Sequence, residues 1–353
     1  MRWDEQRVEN DLRLPGVGDG TVVRTFDAPE AMGINFHEVR ARSALNHVPG
    51  TRYGFSWTVN PFRGCSHACA YCFARRTHSY LDFGPGRDFE REIVVKVNVP
   101  ELLRAELARS SWKRELVALG TNTDPYQWVE SRYRMMPEIL AALEAAETPV
   151  SVLTKSPLVL RDLEIFERMA KKLPISVNLS VPTLDEKVWR ATEPHTPSPA
   201  ARLDAVAELR ARGIESGVLI APLMPGINDD PAQVQPIVER AKEAGASFLT
   251  GLALHLRGEV KDVFFGWLTE KRPDLLPTYE QLYKGRAYMR PEDRRHATRA
   301  LKSWGRSRVR RSRTEQEPSR QAAPRAGGDD REDSPGRESP RSETGPARQQ
   351  AFF

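Results

Sequence analysis

From residue 56 onward, short runs of β-branched and aliphatic residues alternate with longer segments of helical period, and that alternation restricts the chain to a parallel sheet with crossover helices. Strands are predicted at 56–60, 116–119, 150–153, 175–179, 217–221 and 247–254, with helices between them at 136–147, 158–172, 199–212 and 231–244. A further short strand at 92–98 precedes a helix at about 100–109. Six β/α units fall short of the eight that close a barrel, so the expected architecture is α/β, a partial (β/α)6 barrel open on one side. Parallel folds of this kind build their sites at the carboxyl ends of the strands, and polar residues there are read first for function.

Composition divides the chain into three regions: an N-terminal extension at 1–50, a core at 51–304 and a tail at 305–353. The tail is rich in Arg, Ser, Pro, Gly, Glu and Asp, and has almost no apolar residue before Phe352 and Phe353. Such a segment cannot bury enough surface to fold and is expected to be disordered. Within the core, Phe264, Phe265, Trp267, Leu268, Tyr279, Leu282 and Tyr283 form an aromatic stripe in helical sequence, read as packing that closes the open side of the barrel.

The chain has a net charge of +5, of which the tail holds +3, from eleven Arg against eight Asp and Glu. The rest is therefore nearly neutral, which argues against a nucleic-acid partner for the core. The run from Arg306 to Arg313 could contact phosphates as basic arms do, but reads more simply as a solvated flexible run. Charges in Met1-Arg2-Trp3-Asp4-Glu5-Gln6 occupy the place of a signal peptide's apolar segment, and no stretch reaches eighteen consecutive apolar residues. The expectation is a cytoplasmic protein with no membrane segment.

All three cysteines lie within eight residues, in Gly64-Cys65-Ser66-His67-Ala68-Cys69-Ala70-Tyr71-Cys72-Phe73. Three thiols cannot pair off, and with no others the chain is not built on a disulfide framework. Thiolates presented together suit a soft metal, and a four-iron cluster held by three cysteines leaves one iron open to a small-molecule ligand. The same residues admit a Cys3His zinc site with His67 or His78 as fourth ligand, or three unrelated buried thiols. Zinc sites usually add a second, distant ligand pair, and this chain has no second Cys pair.

The pattern C-x3-C-x-aromatic-C, with Tyr71 before the last cysteine, resembles the signature of the radical S-adenosylmethionine superfamily. The resemblance implies that Cys65, Cys69 and Cys72 hold a [4Fe–4S] cluster. It further implies that the amine and carboxylate of S-adenosylmethionine chelate the fourth iron, and that Tyr71 lies near the adenine. It implies an enzyme that takes one electron from an external donor of flavodoxin or ferredoxin type. The cofactor is then cleaved to methionine and a 5′-deoxyadenosyl radical that abstracts hydrogen from a substrate the sequence does not identify.

The predicted strand ends supply candidate contacts to that cofactor. The second ends in Gly120-Thr121-Asn122-Thr123-Asp124, whose small hydroxyl and amide side chains can meet a zwitterion. The third places Lys155 where an ammonium could meet the cofactor's carboxylate. The fourth puts Asn178 and Ser180 on one face, because strand side chains alternate. Thr121, Thr123, Lys155, Asn178 and Ser180 are therefore the candidate cofactor residues beside Tyr71. A turn or helix-capping role is the alternative for each of them. His255 and Arg257, just after the sixth strand, are read as cofactor or substrate neighbours, or as rim residues.

Three stretches sharpen the resemblance: Thr123-Asp124-Pro125-Tyr126-Gln127, Glu193-Pro194-His195-Thr196-Pro197-Ser198-Pro199 before Arg202, and Ala221-Pro222-Leu223-Met224-Pro225-Gly226-Ile227-Asn228-Asp229. Together they are similar to the subgroup related to spore photoproduct lyase, in an actinobacterial-type branch, over about 36–288. Glu193 and Arg202 are read as pocket groups or as an ordinary surface ion pair. Members of that subgroup that act as lyases use a fourth cysteine as hydrogen donor; here Thr121-Asn122-Thr123 stands in the corresponding stretch, so that step does not carry over. Tyr126 is the remaining candidate donor, or a packing residue. A different class of function is a nucleic-acid-binding protein whose cluster or zinc is structural and whose Arg-rich tail supplies affinity.

Overall fold

Aliphatic runs became strands where alternation and burial agree. The computed structural model describes residues 7–9, 22–48 and 54–301. In chain order the strands are β1 (Arg7–Glu9), β2 (Val22–Thr25), β3 (Asn35–Val39), β4 (Leu45–His47), β5 (Trp57–Val59), β6 (Phe62–Arg63), β7 (Glu92–Lys96), β8 (Val117–Leu119), β9 (Val150–Thr154), β10 (Ile175–Ser180), β11 (Val218–Leu223) and β12 (Leu249–Ala253). The helices are α1 (Asp88–Arg91), α2 (Val99–Leu107), α3 (Glu130–Tyr133), α4 (Met135–Ala145), α5 (Leu163–Ala170), α6 (Glu186–Thr192), α7 (Pro199–Ala211), α8 (Pro231–Glu243), α9 (Val260–Lys271), α10 (Leu276–Leu282) and α11 (Pro291–Ala297). The tail at 305–353 lies outside the described residues.

The main sheet runs β12-β11-β10-β9-β8-β5-β4. Its six strands β5 and β8–β12 are parallel, and β4 caps one edge antiparallel to β5. These six are the expected units, joined by helices, and among the described residues no pairing links β12 back to β5 or β4. The α/β, partial-barrel architecture is therefore observed. Among the described residues no helix is long and apolar enough to cross a membrane.

Helix starts follow from local chemistry. In α7 and α8 a capping side chain stands directly before a proline at the first helical position. Ser198 accepts from the Ala201 amide at 3.2 Å, and Asp230 from the Ala232 amide at 2.8 Å. The predicted helix at 158–172 divides: Pro157–Asp162 is a 3₁₀ segment, and α5 follows it.

The predicted strand at 92–98 forms, but in a second sheet. There β7 pairs parallel with β3 and antiparallel with β6, and β2 and β1 extend the sheet from β3. This sheet packs segments from before the cysteines against the residues that follow them.

The larger core lies between the main sheet and its helices. Val117, Leu119, Val152, Val177, Leu179, Val218 and Ile220 meet Leu103, Ile139, Leu143, Phe166, Val206 and Ile237 there. Each such side chain contributes roughly 1.5–3 kcal/mol by leaving water. A second core gathers Val260, Phe264, Leu268, Tyr279 and Tyr283 around Cys69 and Tyr71. The aromatic stripe thus covers the cysteine loop itself.

Candidate active site

The cysteine loop begins at Gly64, whose φ of +82° suits glycine, and where a Cβ would come within 3.0 Å of the Phe89 carbonyl oxygen. Its course is fixed by backbone groups. Cys65 donates its amide to Phe89 at 3.0 Å, Ser66 donates its amide to the Gln127 side-chain oxygen at 3.0 Å, and Ala70 donates to Thr192 at 2.9 Å. Arg75, 1% exposed, turns its guanidinium inward and donates to the carbonyls of Ala68, Cys69, Pro85 and Gly86 at 2.7–3.1 Å. Its carboxylate partner is Glu90. A buried cation thus serves as a clamp on the loop, a role that sequence reasoning did not assign to it.

Cys65, Cys69 and Cys72 are free thiols on the wall of one cavity at the carboxyl ends of the main-sheet strands. Burial pushes all three upward, Cys65 to about 12, so a metal centre is what would stabilise their thiolates. Among the described residues, no set of three or more His, Cys, Asp and Glu side chains converges as the ligands of a single ion would. A cuboidal cluster takes each thiolate on a separate iron, so three thiols along one cavity wall suit it. His67 is turned toward Asp124, its Nδ1 3.4 Å from the carboxylate. His78 bonds the Glu92 carbonyl through Nε2 at 2.9 Å. The donor set fits a cluster of the four-iron type.

More of the wall comes from the strand ends: Gly120, Asn122, Thr123 and Asp124 after β8, Leu153 and Thr154 of β9 with Lys155 just beyond, Ser180 of β10, Leu219, Ala221 and Pro222 of β11, and the end of β12 with Leu254 and His255 after it. Gly120 has φ +83°, and a Cβ there would lie 1.8 Å from the Leu153 carbonyl oxygen, so this wall is bare backbone. Asp124 organises the corner. It accepts from the Thr154 hydroxyl at 2.6 Å, the Tyr126 amide at 2.9 Å and the Lys155 amide at 2.7 Å.

One cluster of charges dominates the cavity. The Lys155 ammonium donates to Ser180 Oγ at 2.7 Å, lies 2.9 Å from Glu193 and stands 5.7 Å from the Tyr71 ring centroid. The second oxygen of Glu193 meets Arg202 at 2.7 Å, and the Tyr71 hydroxyl donates to Glu193. Glu193 and Arg202 are both 0% exposed, which removes the reading of a surface ion pair. Burial acts to raise the Glu193 carboxyl, but Lys155, Arg202 and the Tyr71 hydroxyl outweigh it and bring it down to about 2. Two cations face one carboxylate in this group, and Asp124 supplies a second carboxylate on the cavity wall.

The cavity thus brings together Cys65, Cys69, Cys72, Tyr71, Thr123, Lys155 and Ser180. Thr121 and Asn178 are not on its wall. Asn178 lies one interior step below Ser180, bonded to Ser176 and to the Gly217 amide within the sheet. Thr123 donates its hydroxyl to the Phe62 carbonyl at 3.1 Å. Tyr126 is fully buried with its hydroxyl on Asp162 at 2.9 Å and is not on the cavity wall. His255 is, and its ring lies between Phe73 and Tyr288 at 5.8 and 5.4 Å, while Arg257 is exposed.

A cysteine loop over the mouth of a partial parallel barrel defines a class of enzyme. Residues 59–235 match the Radical SAM superfamily, and the chain belongs to it. It is a radical SAM enzyme. Over 301 residues it is 46% identical to a protein of Mycobacterium tuberculosis, covering 83% of this chain and 88% of that one. A protein of Methanocaldococcus jannaschii is 28% identical over 198 residues, 56% of this chain and 70% of that one. In fold, the chain resembles spore photoproduct lyase solved with a dinucleoside spore photoproduct, with a TM-score of 0.58, 17% identity and coverage of 76% of this chain and 79% of that one.

Proposed function

We propose that Cys65, Cys69 and Cys72 hold a [4Fe–4S] cluster and that the adjoining cavity binds S-adenosylmethionine for hydrogen-atom abstraction from a substrate at its mouth. Three free thiols and the Lys155 ammonium, held by Ser180 and the buried Glu193, on the wall of one cavity carry this reading. When bound and supplied with one electron from an external donor, such a cluster cleaves the cofactor to methionine and a 5′-deoxyadenosyl radical.

The chain's own residues bind and orient. Lys155 is held by Ser180 and Glu193 and presents its positive charge to the cofactor carboxylate. Asp124, at the corner of the same wall, is placed for the cofactor's amine. Tyr71, fixed through Glu193, offers a ring face to the adenine, and Thr123 and Ser180 border the ribose and methionyl groups. Asn178 supports this wall from outside the cavity through Ser176 and the Gly217 amide. The walls of Leu153, Leu219, Ala221, Leu252 and Leu254 exclude water from a reactive radical.

The test is anaerobic. Protein reconstituted with iron and sulfide, given dithionite and S-adenosylmethionine, should release 5′-deoxyadenosine, measured by chromatography, while Cys72→Ala falls at least a hundredfold. A cluster-loaded protein that neither forms the product nor binds the cofactor would overturn the reading.

A further inference from the structure

A second cavity, of about 670 Å³, opens on the other side of the cysteine loop. Ser66 and His67 of the loop line it, and His67 lines both cavities. These two residues follow Cys65 directly in the chain. An occupant of the outer cavity therefore meets the loop at the two residues next to Cys65.

We propose that this outer cavity is the docking surface for an acidic one-electron donor protein of the flavodoxin or ferredoxin type. The proposal rests on the cluster reading above. In that reading S-adenosylmethionine and substrate fill the inner cavity and close the loop's inner face, so electrons must enter from another side. The outer cavity is a face that reaches the loop and stays open.

Its rim suits such a partner. Arg87 and Arg91 are exposed and form no ion pair among the described residues. Of the two glutamates on the lining, Glu90 is already bound to Arg75, leaving Glu30 against the two guanidiniums. Unpaired rim cations steer an acidic partner toward the site and raise its association rate. Met32, 73% exposed, and Trp128 stand on the same lining, and Met, aromatic and Arg side chains are the ones enriched where protein partners meet. The step itself moves one electron: the reduced donor is oxidised, the cluster is reduced, and no bond forms or breaks.

The experiment follows bleaching of the cluster absorption in stopped flow, using the reconstituted full chain and reduced flavodoxin as probe. Arg87→Glu with Arg91→Glu should lower the second-order rate constant at least tenfold and flatten its dependence on salt. Reduction by dithionite should stay unchanged in that variant. The control, Arg109→Glu with Lys113→Glu, makes the same change in charge between α2 and β8, at the amino ends of the strands, and should react as the wild type does. Equal flavodoxin rates in rim variant and wild type would overturn the proposal, as would equal slowing in the control. A wild type that dithionite reduces and flavodoxin does not would also overturn it. A reconstituted wild type with no bleachable absorption would instead overturn the cluster reading, and this proposal with it.

Discussion

Glu130 and Glu193 are equally hidden, both 0% exposed, yet their surroundings drive them in opposite directions. Burial pushes the Glu130 carboxyl up to about 7, although Arg161 and the Met135 and Met136 amides donate to it. Glu193 is brought down to about 2 because two cations share it. Around Glu130, Arg161 also serves Asp162, so two carboxylates divide one guanidinium. Around Glu193 the ratio is reversed. The first group ties α3, α4 and the segment before α5 together; the second reaches the cavity through Lys155. Charge balance, rather than burial, decides which way a hidden carboxylate is driven.

The comparison breaks most sharply at Glu193. Glu193→Gln leaves Lys155 and Arg202 without their shared carboxylate, and loss of one partner from a buried pair costs about 3–5 kcal/mol. Denaturant unfolding should show that loss, and S-adenosylmethionine binding should weaken as Tyr71 and Lys155 are released. A fully stable variant with unchanged binding would remove Glu193 from the site.

Glu130 should declare itself through pH. Its carboxyl holds a proton more tightly in the folded state, at about 7, than at the ordinary value of 4.5. The stability this contributes is complete below pH 4.5 and is lost as the pH rises through 7, by up to ~3 kcal/mol. Unfolding midpoints between pH 5 and 8 should show the decline, and Glu130→Gln should flatten it without altering cofactor binding. A smaller effect falls on Lys155: Lys155→Met removes the ammonium but keeps much of the stem. Titration should show S-adenosylmethionine binding weaker by about 2 kcal/mol, the worth of a charged hydrogen bond, which is roughly thirtyfold.

The six parallel strands were legible because aliphatic runs such as Val150–Thr154 and Ile175–Ser180 carry their own period and are bounded by turn residues. The thiols were legible because their spacing is local. The second sheet was not: Phe62–Arg63 is two residues long, and β3 finds β7 across more than fifty residues of chain. Thr121 and Asn178 show the limit of reading strand ends. Alternation put Asn178 on the interior face correctly, but only packing sets how deep a residue lies, and it forms the layer beneath Ser180. Arg75 and Arg161 gave no signal as buried clamps, since an arginine in sequence reads as solvent-facing. The outer cavity draws single residues from many separate segments, and no local pattern announces such a place.

The second core joins Cys69 and Tyr71 to helices α9 and α10, near the far end of the described chain. On a ribosome the thiols are therefore made long before the residues that will cover them. The cysteine loop can reach its packed state only after α9 and α10 have emerged. Order of synthesis thus leaves the loop without its cover until the last helices are made, and a chain cut before α9 would leave Cys69 and Tyr71 bare on that side.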